Sequence, residues 1–299
     1  ALLAWLDARV HDGTFVLRIE DLDPQRSKPE ATVTILDDLR WLGLDWDEGP
    51  TSAPDQTGRG PHAPYTQSLR SYTYRAAIDA LQSRGLAYAC SCSRAEVARA
   101  AGAPHAGEDG PRYPGTCRNG PVHPGRPCSI RFRVDAASPS FDDRCHGTQT
   151  FDVPGTAGDF VIRRVDGVAA YQLACAYDDG EMKVTHVVRG DDLLPSTPRQ
   201  LLLLDALGFA RPTYAHVPLL VGEDGHRLAK RGGALTVRSL RTQGVIPEQV
   251  VGFLAKSCGL GDGRPLAAAE LIAGFELERL GRSPAVVTEA DIAALLART

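Results

Sequence analysis

The sequence predicts an α/β fold: a parallel sheet covered by helices, interrupted by a smaller inserted unit and followed by a helical carboxyl-terminal part. Three observations carry this. Residues 15–19, FVLRI, are apolar at four of five positions, too continuous for a strand with one wet face and typical of one buried on both. That run ends abruptly in Glu20, Asp21 and Asp23, and a second apolar run, residues 184–188, ends in Arg189, Gly190, Asp191 and Asp192. Ligands of open α/β sheets bind beyond the carboxyl ends of the strands, where these charges fall. Finally, between residues 86 and 159 the composition shifts to short β-like runs set among prolines and glycines.

The elements follow in order. The opening segment, ALLAWLDARVHDG, reads as an amphipathic helix with Leu2, Leu3, Leu6 and Val10 on one stripe. After the strand at 15–19, Pro29 starts a helix reaching about residue 42, proline being suited to the first turn. Residues 50–64 are loop, rich in proline and glycine. Residues 65–84 predict a long helix stopped by Gly85. Within the inserted unit, strands are expected at 86–89, 129–134 and 148–153. Residues 160–177 predict a hairpin whose arms, FVIRRV and VAAYQLACAY, flank the turn dipeptide Asp166-Gly167. A helix at 197–207 ends at Gly208, and a third strand at 217–221 runs into the loop GEDGHRLAKRGG. Helices are expected near 236–244, 247–258, 266–274 and 289–298. The implied division is 1–85, first part of the main domain; 86–159, insertion; 160–234, second part; and 235–299, helical segment.

Composition narrows the class. The chain has 299 residues, 43% hydrophobic and 23% charged, with a net charge of -4, which gives no bulk electrostatic reason to bind nucleic acid. No run of 18 apolar residues predicts a membrane span, and the amino terminus lacks a signal peptide's basic flank and cleavage site. Seven cysteines spread over a long chain do not resemble a secreted disulfide framework, so a reducing, cytoplasmic setting is expected.

Two groups of residues suggest chemistry. Cys90 and Cys92, with Cys117 further on, form an incomplete tetrahedral zinc set; spacing leaves Tyr113, His123, Cys128 and His105 as candidates for the fourth ligand, and free thiols as the alternative. At the strand ends, Glu20 and Asp21, Arg189, and Lys230 would suit an amino acid beside a nucleotide triphosphate. Lys230 gains weight because the only other lysines are Lys28, Lys183 and Lys256. The competing readings are a solvated turn for the acids, a surface charge for Lys230 and a structural ion pair for Arg189.

Taken together, RIEDLDPQRS, YTQSLRSYTYRAAIDAL, YPGTCR, AYQLACAYDDGEMKVTHVVRGDDLLPSTPRQLLLLDALG and HRLAKRGG closely resemble the catalytic core of class I glutamyl-tRNA synthetases over about residues 1–245. The resemblance implies a Rossmann-like class I catalytic domain with a zinc-binding insertion of the acceptor-domain type. It implies that Glu20 holds the α-ammonium of glutamate and that Tyr171 and Arg189 line the amino-acid pocket. Arg227, Leu228, Ala229, Lys230 and Arg231 would form the KMSKS-type loop that binds ATP with magnesium, Lys230 acting on the phosphates. Cys90, Cys92, Tyr113 and Cys117 would ligate zinc. Two departures stand out: Ala229 replaces the loop's usual serine, and the His-Ile-Gly-His-type loop, expected just before the first helix, is not in the chain. The short stretch after the loop region resembles the glutamyl-Q tRNA(Asp) synthetase branch, which lacks an anticodon-binding domain and attaches glutamate to the queuosine base of tRNA(Asp). On that resemblance the partners are L-glutamate, ATP and tRNA(Asp), and the chain is expected to be a monomer with no membrane partner. The alternatives are a truncated synthetase charging tRNA(Glu) and a non-catalytic RNA- or zinc-binding remnant.

Overall fold

Helix α1 (Leu2–Val10) buries Leu2, Trp5 and Leu6 along the face that its apolar spacing defines. It belongs to a computed structural model that describes residues 1–23, 27–51, 58–100, 111–135, 139–228 and 235–297. Residues 15–19 follow as extended chain. Their hydrogen bonds run from Phe15, Leu17 and Ile19 to residues 47–48 and 65–67, with parallel bridges Val16↔Glu48 and Ile19↔Thr66. The segment is half-buried, not covered on both faces as its apolar run suggests, because its opposite side borders a cavity of about 700 Å³ lined also by residues 182–188. Helix α2 (Pro29–Trp41) starts on its proline as expected. The predicted helix at 65–84 is a 3-10 turn, Gln67–Arg70, followed by α3 (Ser71–Ser83), with Gly85 in the left-handed conformation at φ 71°.

The small sheet has the order β1 (Ala87–Cys90), β2 (Ser129–Phe132), β5 (Val161–Arg163), all antiparallel, with α4 (Arg94–Ala100) beside it. The main sheet has the order β4 (Gly147–Thr150), β3 (Ser140–Asp143), β7 (Thr213–Val217), β6 (His186–Gly190), with β3–β7 and β7–β6 parallel. The division at 86 and 159 therefore does not coincide with sheet membership: β3 and β4 extend the main sheet, while β5 closes the small one. The cause is local. Phe141 finds its apolar contacts on the main sheet, edge-on to Tyr214 at 5.7 Å and stacked with Phe151 at 6.4 Å. The strand expected at 148–153 is likewise split, ending at Thr150 before a single helical turn, α5 (Val153–Thr156).

The predicted hairpin at 160–177 is half right. The Asp166-Gly167 turn is present, with Gly167 at φ 89° and Arg163 bridged to Ala169. The second arm stops there, and α6 (Tyr171–Glu181) takes the rest. Leucine and alanines dominate YQLACAY, and Leu173, Ala174 and Ala176 are fully buried against α7 (Thr197–Leu207), a packing that overrides local strand propensity. Beyond β7, β8 (Leu220–Gly222) pairs in parallel with β9 (Ala285–Val287), a strand no sequence pattern announced. The other carboxyl-terminal elements are α8 (Val237–Thr242), α9 (Pro247–Ser257) and α10 (Glu289–Leu296); a 3-10 turn, Ala268–Leu271, stands where a helix was expected. Val250 and Val251 of α9 join one core with Leu2, Trp5 and Leu6. Gly252 is required there, since a Cβ would sit 2.1 Å from the Arg264 carbonyl oxygen.

A buried charge cluster joins these layers. Asp178, on α6, is fully buried and accepts hydrogen bonds from Arg70 Nε (2.7 Å), the Tyr74 hydroxyl (2.8 Å) and Gln67 Nε2 (3.0 Å). Arg18 donates to the neighbouring Asp179 at 2.7 Å and lies 3.7 Å from Asp178. Asp178→Ala should leave Arg70, itself 3% exposed, without its buried partner. Losing one member of such a pair costs about 3–5 kcal/mol, to be read as a lower urea midpoint at unchanged m-value.

Candidate active site

The site forms where the 15–19 segment and β6 end and α6 begins. Glu20 is held from one side: Arg18 donates to its Oε1 from NH2 (2.8 Å) and Nε (3.3 Å), and the Cys175 thiol donates to the same oxygen at 3.4 Å. Burial pushes the Cys175 pKa well up, so it stays a thiol and a donor. Among the described residues Oε2 has no hydrogen-bond partner, and the Glu20 side chain is 37% exposed. Asp21 has a different task. It accepts from the Ser68 backbone N–H (2.8 Å) and hydroxyl (2.6 Å), pinning the start of the 3-10 turn before α3. The acidic cluster thus divides into one available carboxylate and one structural one.

Tyr171 opens α6 and is solvent-accessible, although the sequence suggested a strand there. Its hydroxyl pKa is raised, chiefly by burial and then by Cys175 and Glu20, while Arg189 opposes; the four groups share one electrostatic neighbourhood. Arg189, half-buried at the end of β6, donates from Nε to His216 Nε2 (3.0 Å) and from NH2 to Thr197 Oγ1 (2.8 Å), and its guanidinium lies 5.3 Å from the Tyr214 ring centre. Among the described residues no carboxylate pairs with it. Of the acids that follow it in sequence, Asp192 pairs instead with Arg227. Among the described residues NH1 of Arg189 has no acceptor.

Of the loop residues singled out in the sequence, Arg227 and Leu228 are half-buried beside this edge, and Arg227 bridges back to Val221. Ala229, Lys230 and Arg231 lie outside the described residues. A cavity of about 1100 Å³ opens from Glu20 and Tyr171 toward Arg94, Arg131 and the Arg164–Asp166 turn, with Leu22, Val165 and Ala169 among its apolar lining.

The cysteines converge as their spacing suggests. The sulfurs of Cys90, Cys92 and Cys117 lie within 4.8 Å of one another. The Tyr113 hydroxyl is 3.3 Å from Cys90 Sγ and 3.7 Å from Cys92 Sγ, and accepts the Cys117 backbone N–H at 2.9 Å. His123 instead meets Glu96 at 3.0 Å, Cys128 donates to the Arg126 carbonyl, and His105 lies outside the described residues. Three thiols and a phenol around one point form a donor set that could hold a metal ion. Nearby, fully buried Asp159 accepts from Arg118 Nε and NH2 (2.6 Å each) and from the Val134 N–H at 2.8 Å, and Tyr88 donates to it as well. Burial would raise this carboxyl, but the hydrogen bonds from Arg118, Tyr88 and Val134 hold it below the usual value. A depressed carboxyl stabilises above its unfolded pKa of about 3.9 and loses that contribution as pH falls through the folded value. Asp159→Asn should therefore be destabilised at pH 7, with the gap to wild type narrowing below about pH 4 in urea titrations.

Sequence reasoning missed His216, Thr197 and Cys175. His216 sits in a mostly apolar run with nothing local to mark it, Thr197 shows in sequence only as a helix start, and only the topology brings the two to Arg189.

Comparison with known proteins identifies the family. Residues 1–293 match the model of tRNA synthetases class I (E and Q), catalytic domain. A glutamyl-Q tRNA(Asp) synthetase of Symbiobacterium thermophilum is 49% identical over 99% of this chain and 92% of its own length. A glutamate–tRNA ligase of Anaeromyxobacter sp. (strain K) is 44% identical over 96% of this chain, which spans 59% of that protein. The crystal structure of a glutamate-tRNA synthetase from Elizabethkingia anophelis superimposes with a TM-score of 0.80 at 26% identity, over 98% of this chain and 65% of its own. With residues 1–293 matched by that model, the chain belongs to the class I tRNA synthetases (E and Q) through their catalytic domain.

Proposed function

We propose that this chain activates L-glutamate with ATP to glutamyl-adenylate and transfers the glutamyl group to the queuosine base of tRNA(Asp). The observation that carries the glutamate assignment is Arg189, a half-buried guanidinium fixed by two neutral acceptors and lacking any carboxylate among the described residues. Such a cation calls for an anionic ligand, and Glu20, within electrostatic reach of Tyr171 as Arg189 is, offers Oε2 to an ammonium group. A dicarboxylic amino acid answers both. The large cavity beyond Tyr171, with apolar walls and arginines at its margin, then suits the RNA part that brings the acceptor hydroxyl. The choice of tRNA(Asp) rests on the likeness to glutamyl-Q tRNA(Asp) synthetases along nearly their full length. The 44% likeness to a glutamate–tRNA ligase favours tRNA(Glu) as the second reading.

Neither step needs an enzyme nucleophile. The glutamate carboxylate attacks the α-phosphorus of ATP and pyrophosphate leaves; an RNA hydroxyl then attacks the activated carbonyl and AMP leaves. Positioning by Glu20, Tyr171 and Arg189 supplies the orientation, and Lys230, with magnesium accompanying the ATP, the charge stabilisation at phosphorus. Arg227, Leu228, Ala229 and Arg231 complete the ATP-binding loop in this reading. The cysteine and tyrosine set takes zinc, which would fasten the amino-terminal half of the inserted unit; it does not enter the chemistry. The molecule works as a cytoplasmic monomer.

Charging purified queuosine-containing tRNA(Asp) and tRNA(Glu) with labelled glutamate separates the two readings: label on tRNA(Asp) supports the proposal, and label on tRNA(Glu) alone replaces it. Arg189→Cys should lose glutamate binding by several hundred-fold, the equivalent of about 3–5 kcal/mol for an unpaired buried charge, while gaining little glutamine binding. Equal losses for both amino acids in titration calorimetry would return Arg189 to a scaffold role. Elemental analysis should give one zinc per chain, and Cys92→Ser should lose it while leaving the main sheet folded, as read by hydrogen exchange in β6 and β7.

A further inference from the structure

Behind Arg189 lies a second layer of polar groups that substrate does not reach. His216, on β7, is fully buried, and its Nδ1 lies 2.6 Å from Asp143 Oδ2, also buried. Asp143 is itself fixed by the backbone N–H groups of Cys145 and His146, both donating to Oδ1 at 2.9 Å, and of His216 at 3.1 Å to Oδ2. At the other ring nitrogen, Nε2 faces Arg189 Nε–H at 3.0 Å and Thr197 Oγ1 at 3.1 Å. Because the guanidinium has only donors, Nε2 must carry its lone pair toward it. Nδ1 therefore holds the proton and donates it to Asp143. The tautomer of His216 is dictated at both ends.

We propose that Asp143 and His216 are positioning residues for glutamate recognition: the neutral Nδ1–H imidazole locks one edge of Arg189 and turns its free NH1 toward the substrate side-chain carboxylate. The inference rests on the glutamate site proposed above. It assigns selectivity to the protonation state of a group some distance from the ligand. A protonated His216 would present N–H to N–H and cation to cation, expelling Arg189 from its rotamer. The surroundings disfavour that state. Of the groups facing the ring, Arg189 and His146 oppose a positive charge, Asp143 and Asp191 favour one, and Tyr214, stacked at 6.0 Å on the same strand, is neutral. Burial, the largest influence, lowers the pKa of His216 below its ordinary value, so the ring is neutral at pH 7.

Asp143→Asn is the discriminating variant. The two backbone N–H groups at Oδ1 select the amide oxygen there, which leaves the amide NH₂ against His216 Nδ1 and forces the proton to Nε2, where Arg189 needs an acceptor. Such a tautomer reversal by an Asp→Asn change beside a buried histidine is known to disable a site whose geometry is otherwise intact. Glutamate binding to Asp143→Asn and His216→Phe, by titration calorimetry, should weaken about tenfold or more, the scale of a lost hydrogen bond to a charged group, with ATP binding unchanged. Equal weakening of both ligands, or none, overturns the proposal. Nitrogen-15 NMR of the wild-type imidazole tests the same claim without a variant: an unprotonated Nε2 at pH 7 supports it, and an Nε2–H or charged ring overturns it. If wild type binds no glutamate at all, the functional reading fails, while the NMR result still decides the tautomer.

Discussion

The structure depends on placing charge inside a fold that has little room for it. Asp178 is the extreme case: its carboxylate lies where α6, α3, the 3-10 turn before α3 and the 15–19 segment meet. Burial pushes its pKa up, and Arg18, Arg70, Tyr74 and Gln67 offset part of that cost. Replacing the cluster with apolar residues need not destabilise, since buried ion pairs are weak contributors to net stability. What the cluster supplies is direction. Arg18, held by Asp179 on one arm, can approach Glu20 only from one side, and so leaves Oε2 open. The network that ties the layers together also aims the functional carboxylate.

How much of this the sequence shows depends on whether a residue's role is local. The helix starts at Pro29 and Thr197, the stop at Gly208 and the turn at Asp166-Gly167 are legible because proline and glycine act through their own backbone. The charges at the ends of residues 15–19 and of β6 are legible because a parallel sheet puts its site there. The cysteine set is legible from spacing and completed by the resemblance, which selects Tyr113 over His123 and Cys128; the geometry sets those two apart, each with another partner.

What was illegible was set by long-range packing. The run VAAYQLACAY reads as strand or helix until its partner is known, and the partner is α7. Residues 15–19 look enclosed because their apolarity says nothing about which neighbours are present on each side. Strand β9 has three residues and exists only through β8. Asp143 is the clearest case: it lies at the end of β3, 73 residues from His216 in sequence, and a single parallel register, Asp143↔Tyr214, brings its carboxylate against the histidine Nδ1.

A pocket for a zwitterion with a second carboxylate must hold an anion and a cation close together without letting them neutralise each other. This fold does so by giving each a prior engagement of a different kind. Glu20 is held at Oε1 by a guanidinium that also pairs with Asp179, and among the described residues its Oε2 has no partner. Arg189 is held by an imidazole and a hydroxyl, which orient it without cancelling it. Had Arg189 been anchored by a carboxylate, the pocket would be close to neutral at that end and would bind glutamine nearly as well. On the glutamate site proposed above, the neutral anchor is the feature that would make this arginine carboxylate-selective, with the aspartate kept one step back, against the histidine, where it would set the tautomer and leave the guanidinium's charge for the ligand.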